Sequence, residues 1–169
     1  NGILHVTMPR GLGWCFSSIG KHVERCLQTI SMTQSYYKPL NYNLEGEEDL
    51  LYWRRLLLSL SGYEQYLKSY SNISHNRKIV QHVIFNRDFS HSVMYTLELI
   101  DKYLEYISLD NTSSEARTLQ NQFGRLKSLV KFTDYYNLTN QQLEDVLNDV
   151  KTQLIQFSND FSKLYFSYT

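Results

Sequence analysis

From Leu143 to Tyr168 the chain places Leu143, Leu147, Val150, Leu154, Phe157, Phe161, Leu164 and Tyr168 at steps of three and four, with no proline or glycine between them. Such steps return side chains to one face of a helix but scatter them over both faces of a strand, so only a helix gathers them into one apolar stripe. The segment opens with Thr139-Asn140-Gln141-Gln142, a capping-box spacing. The scarcity of breakers is general: 169 residues contain two Pro and seven Gly, too few for strands joined by tight turns.

The same period recurs upstream. Phe16, Ile19, Val23, Cys26 and Ile30 predict a first helix from about Gly13 to Tyr37, closed by Pro39 and preceded by a turn at Pro9 to Gly11. Gly13, Ser17 and Gly20 form a small-residue stripe on it that would let another helix approach closely. After a loop with Asn41, Asn43 and Gly46, the acids Glu47, Glu48 and Asp49 suit the start of a second helix. Leu50, Trp53, Leu57, Leu60 and Leu67 carry that helix to about Tyr70, and Leu51, Leu56 and Leu58 widen its stripe as in a central helix. A short helix at about 76–85 turns Ile79, Val80, Val83 and Ile84 inward and stops at Asn86-Arg87-Asp88. Asp88 or Ser90 can cap the next, with Val93, Leu97, Ile100, Leu104 and Ile107 as its seam. Ser113 or Ser114 can cap a fifth, carrying Ala116, Leu119, Phe123, Leu126 and Val130. Short connections favour antiparallel neighbours, so the expected fold is all-α, an up-and-down bundle of about six helices, one short, forming one domain over residues 1–169.

Composition excludes several roles. An apolar fraction of 42% with 14% aromatic residues is far from disorder. Lys plus Arg and Asp plus Glu are balanced at 17 each, so no bulk field steers the chain to nucleic acid or anionic lipid. No apolar run is long enough for a membrane span and no signal segment opens the chain, which points to a cytoplasmic protein. Cys15 and Cys26 lie too far apart along one helix to bridge each other and read as reduced, partly buried thiols. The glycosylation-type triplets at Asn72, Asn111 and Asn137 are read as loop polarity.

Chemistry-bearing patterns are sparse. His5, His22, His75, His82 and His91 are scattered, without a Glu-x-x-His pair, a Cys-x-x-Cys or a phosphate loop, so neither metal nor cofactor is expected. Lys21, Glu24 and Arg25 occupy adjacent turns of the first helix and could hold an anion; the plainer reading is a solvated face with a Lys21–Glu24 pair and Arg25 bonded elsewhere. The corner from Asn86 to Val93, with Asp88 and Ser92, is ambiguous in the same way, since capping and a Phe89 anchor also explain it. Trp14 and Trp53 fall in apolar register and read as core, while Tyr135-Tyr136 could line a surface used by a partner.

The string Gly11-Leu12-Gly13-Trp14-Cys15-Phe16 through Gly20-Lys21-His22-Val23-Glu24-Arg25-Cys26 resembles the bacterial Alpha-E family's second-half motif, approximately HGEGW-x-F-x-x-LGR-x-LERA. Leu51-Tyr52-Trp53 through Tyr63-Glu64-Gln65-Tyr66, the corner Phe85 to Val93 and the closing Leu164 to Tyr168 are similar to later family segments in the same order. Arg10 and Leu12 stand where the family usually has His and Glu, Lys21 replaces an Arg, and Leu58 replaces an Arg after the tryptophan. The resemblance implies a companion half and genes adjacent to, or fused with, circularly permuted ATP-grasp proteins, hence a binding or scaffold module accessory to amide- or peptide-bond formation. The alternative is an enzyme or small-ligand protein whose polar site, around Lys21, Glu24 and Arg25, converges with Asp88 or Ser92. The broad leucine stripe also leads us to expect apolar surface left for the missing half or for a homodimer partner.

Overall fold

A computed structural model describes residues 11–70 and 73–166. Helix α1 runs Gly11–Tyr37, followed by a 3-10 turn Lys38–Leu40; then come α2 Leu50–Ser59, α3 Tyr63–Ser69, α4 His75–Val80, α5 Val93–Ser108, α6 Ser114–Lys131 and α7 Asn140–Phe166. The last turn after α4, Gln81–Phe85, is wound as a π-helix. Every regular element among the described residues is helical. The turn expected at Pro9 to Gly11, the triplet at Asn72 and the end of the last stripe at Tyr168 lie wholly or partly outside these residues.

The four long helices close a ring, α1 on α5, α5 on α6, α6 on α7 and α7 back on α1. Contacts fix their directions. Trp14 meets Tyr103 edge-on at 5.3 Å between centroids, and the Cys26 thiol lies beside Thr96, so α1 and α5 are antiparallel. Phe16 packs on Phe161 and the Gln34 amide donates to Asn148, which sets α7 antiparallel to α1; one cleft pairs Ser114 with Lys163 and another Leu129 with Asp145, on either side of the Phe123–Phe157 contact, which sets α7 antiparallel to α6. Lys127 bonds Asp101 at 2.6 Å across α5 and α6. The stripes read from sequence fill this ring: Ile19, Val23, Cys26 and Ile30 of α1, Val93 to Ile107 of α5, Ala116 to Val130 of α6 and Leu143 to Phe161 of α7 are buried. Both cysteines are free and buried.

The short helices sit in the connection between α1 and α5, and here the structure departs from expectation. The second helix is two helices, because α2 ends in a Schellman motif: Gly62 N–H donates to Leu57 O, Ser61 N–H to Leu58 O, and Ser61 takes φ +55°. Gly62 is needed for close approach, since a Cβ there would meet Phe89 Cζ at 2.6 Å. Instead of running through the centre, α2 and α3 lie outside the ring; Leu56 is buried, but Leu51, Leu58 and Leu67 are exposed. The cap of α5 is Ser92, which accepts from Tyr95 N–H, and not Asp88 or Ser90. Asp88 instead donates its backbone N–H to Asn86 Oδ1 in an Asx turn. Two expected caps form as read: Ser113 accepts from Ala116 N–H, and Thr139 and Gln142 bond reciprocally.

Candidate functional site

Helix α1 turns its apolar stripe into the ring and leaves the opposite face open. Gly13, Ser17, Gly20, Lys21, Glu24 and Arg25 are all exposed there. Their spacing of three and four keeps them on adjacent rows of one surface. A Cβ added at Gly13 or Gly20 would meet nothing within 4 Å, so the close helix approach expected at this stripe is not made by any described residue. The plain reading of the charged cluster meets the structure in its solvated face but not in its pairings: Lys21, Glu24 and Arg25 are exposed, and among the described residues they form no hydrogen bond or ion pair, with each other or elsewhere. Behind the face, His22 bonds the Ser18 carbonyl through Nδ1 and meets the Tyr103 ring. Burial holds His22 below the usual imidazole range, and the charges of Arg25 and Lys21 push it the same way.

Asp88 and Ser92 belong to a different place. Ser92 is fully buried, its hydroxyl donating to Asn86 O and accepting from Tyr95 N–H, which commits it to holding the corner. Asp88 is exposed and lines a cleft of about 340 Å³ that takes in neither Ser92 nor any of Lys21, Glu24 and Arg25. The five candidate residues are therefore not one constellation in the described clefts.

This cleft joins two features that the sequence offered separately, the corner Asn86-Arg87-Asp88 and the pair Tyr135-Tyr136. Phe85 stacks on Tyr135 with centroids 5.5 Å apart and planes at 13°. The rings of Tyr135 and Tyr136 meet with centroids 4.5 Å apart, and the Tyr136 phenol beside it is the main reason that Tyr135 is pushed up from its ordinary range. Tyr70 enters from the end of α3 with its phenol near the Asn86 side chain, and burial raises it above its ordinary range. Sequence gave no signal for Tyr70 or for Lys131, which also lines the cleft.

Behind the corner, His82 is fully buried, its ring stacked on Phe89 at 4.5 Å and 11° and edged by Tyr66 and Tyr70. Its Nδ1 lies 3.3 Å from the Asn86 amide nitrogen, while Nε2 faces the Gly62 carbonyl without a hydrogen bond of good geometry. Burial dominates and lowers its pKa to about 4, against the smaller opposing pull of that carbonyl. The imidazole is therefore neutral at pH 7 and serves as an aromatic spacer.

Two other clefts lie between α6 and α7, one of about 560 Å³ edged by Glu115, Asp160 and Lys163 and one of about 540 Å³ edged by Asp134, Asp145 and Asp149. Among the described residues no three His, Cys, Asp or Glu side chains are grouped to hold a metal. No described helix is long and apolar enough to cross a membrane.

A comparison with curated proteins and one with solved structures gave no match. A family model does match, over residues 1–166: Alpha-E, described as a predicted alpha-helical domain with a conserved ER motif. The chain contains one Glu-Arg dipeptide, Glu24-Arg25, and it stands on the open face of α1. The helical fold, the extent of the match and this dipeptide agree, and the chain belongs to the Alpha-E family.

Proposed function

We propose that this chain is a helical binding and scaffold module that presents the open face of α1 to an ATP-grasp-type ligase and contributes no catalytic group of its own. The observation that carries the reading is a cost without a structural return. A glycine inside a helix is destabilising by about 0.5–1 kcal/mol relative to Ala. Gly20 stands in mid-helix with no neighbour that needs its missing Cβ, and Gly13 near the start is equally open. One turn on, Glu24 and Arg25 are exposed charges with no ion-pair partner among the described residues. A smooth stripe leading into an unpaired acid and base suits a second helix that lies along it and is registered by charge. The ligase as occupant comes from the family resemblance, which points to circularly permuted ATP-grasp proteins.

Titration of the chain with a purified circularly permuted ATP-grasp protein from the same source tests the reading. Arg25→Glu and Glu24→Lys are expected to weaken the complex at least tenfold. Gly20→Ala is expected to raise the stability of the free chain by about 0.5–1 kcal/mol while weakening the complex. Binding of all three variants like the parent chain would sink the proposal, as would face-dependent pairing of the chain with itself in place of the ligase.

A further inference from the structure

We propose that His82, Asn86 and Asp88 form an acid-sensitive switch, in which a second proton on the His82 ring turns the Asn86 carboxamide and opens the corner that it holds. Asn86 Oδ1 accepts the Asp88 N–H at 2.8 Å, so the other end of the carboxamide, its NH2 group, is the end that meets His82 Nδ1 at 3.3 Å. An N–H donates only to a bare ring nitrogen, which places the proton of the neutral imidazole on Nε2. A proton added at Nδ1 then points at a donor. The conflict is relieved when the carboxamide turns its Oδ1 to Nδ1, and that turn takes the acceptor away from the Asp88 N–H.

The ring is not free to move aside instead. His82 is fully buried, stacked on Phe89 at 4.5 Å and edged by Tyr66 and Tyr70 from α3, and Phe89 is in turn pressed against Gly62. The groups packed on the imidazole are thus two phenols, a phenyl ring, the Asn86 amide and the Gly62 carbonyl. Burial pushes both phenols up, so they stay protonated in acid and bring no negative charge to the ring. Two further imidazoles are one contact removed: His75 bonds the Tyr66 hydroxyl at 2.7 Å, and His91 meets Phe89 at 5.7 Å. Asn86 is also where the rest of the corner is anchored, since the Ser92 hydroxyl donates to its carbonyl and caps α5 through Tyr95 N–H. Asn86, Arg87 and Asp88 line the cleft of about 340 Å³, so a turn of Asn86 reshapes that cleft and carries the protonation of a buried ring to the surface.

The switch is independent of α1 and of any ligase. NMR of the whole chain, followed from neutral pH to about pH 3.5, tests it. The side-chain amide of Asn86 is expected to move together with the His82 ring, with a midpoint at the folded-state pKa of about 4, while the amides of α6 and α7 keep their positions. Asn86→Asp retains an acceptor for the Asp88 N–H and offers a carboxylate to Nδ1, so it is expected to raise the midpoint of the His82 ring by about one pH unit or more. In His82→Phe the Asn86 amide is expected to lose its transition, and His91→Gln is expected to leave it in place. An Asn86 amide that stays still while the ring titrates, an Asn86→Asp midpoint that is unchanged or lower, or simultaneous loss of the α6 and α7 signals would overturn the proposal.

Discussion

Replacing Trp53 with Ala is expected to lower stability by about 3–5 kcal/mol, the usual cost of deleting a large buried aromatic ring. Trp53 is fully buried although its helix, α2, lies outside the four-helix ring. It is the hub of an aromatic cluster, with Tyr37 at 4.7 Å, Tyr52 at 4.9 Å and perpendicular, and Tyr36 at 6.1 Å. Through Tyr37, whose hydroxyl donates to Asn76 O, the cluster ties the end of α1 to α4. Truncation would leave the tyrosine rings facing a void and loosen the seat of the short helices. Among the described residues the indole Nε1 has no hydrogen-bond partner, so Trp53→Phe removes an unsatisfied donor and should cost much less than Ala. Urea denaturation of both variants checks this; an unchanged midpoint for Trp53→Ala would place the ring at an interface instead of in the core.

The second large effect is a loss of stability in acid. His82 has a folded-state pKa of about 4, below the roughly 6.5 of an unfolded imidazole. Between these values the unfolded chain binds the extra proton, so stability is complete above about pH 6.5, falls as pH falls, and levels off below about pH 4. The full span corresponds to roughly 3 kcal/mol. Charging the ring would also set a cation between Phe89 and the Tyr66 and Tyr70 edges in a site without water access. His22, also lowered by burial, adds a slope of the same sign. The expected result is that His82→Phe loses about 2 kcal/mol less than the parent between pH 7 and pH 4.5 in urea titrations. Identical pH dependence in the two proteins would contradict the assignment.

The long helices were legible because each must bury a continuous stripe, and a 3.6 period written by Leu, Ile, Val and Phe has no other use. The division of 47–70 was hidden for the same reason: Leu57, Leu60 and Leu67 keep helical spacing across a break made by the left-handed Ser61 and by contact of Gly62 with Phe89, a residue distant in sequence. Capping at the corner was misread because Asp88, Ser90 and Ser92 are all chemically competent, and only the path of the chain buries Ser92. The Glu24-Arg25 pair could be found from sequence, but its lack of ion-pair partners among the described residues could not, since that depends on which helices surround α1. The cleft was invisible as a unit, because Tyr70, Arg87 and Tyr135 converge only through tertiary packing.

In the proposed function Glu24 and Arg25 serve recognition and leave the fold untouched. The most direct test is the urea unfolding midpoint of the Glu24→Ala, Arg25→Ala double variant at neutral pH. Substitutions on a solvated face away from any cap, core or network change stability by no more than about 0.5 kcal/mol, and that is the result predicted here. A loss of about 2 kcal/mol or more would show that the pair is a structural brace, and would contradict the account.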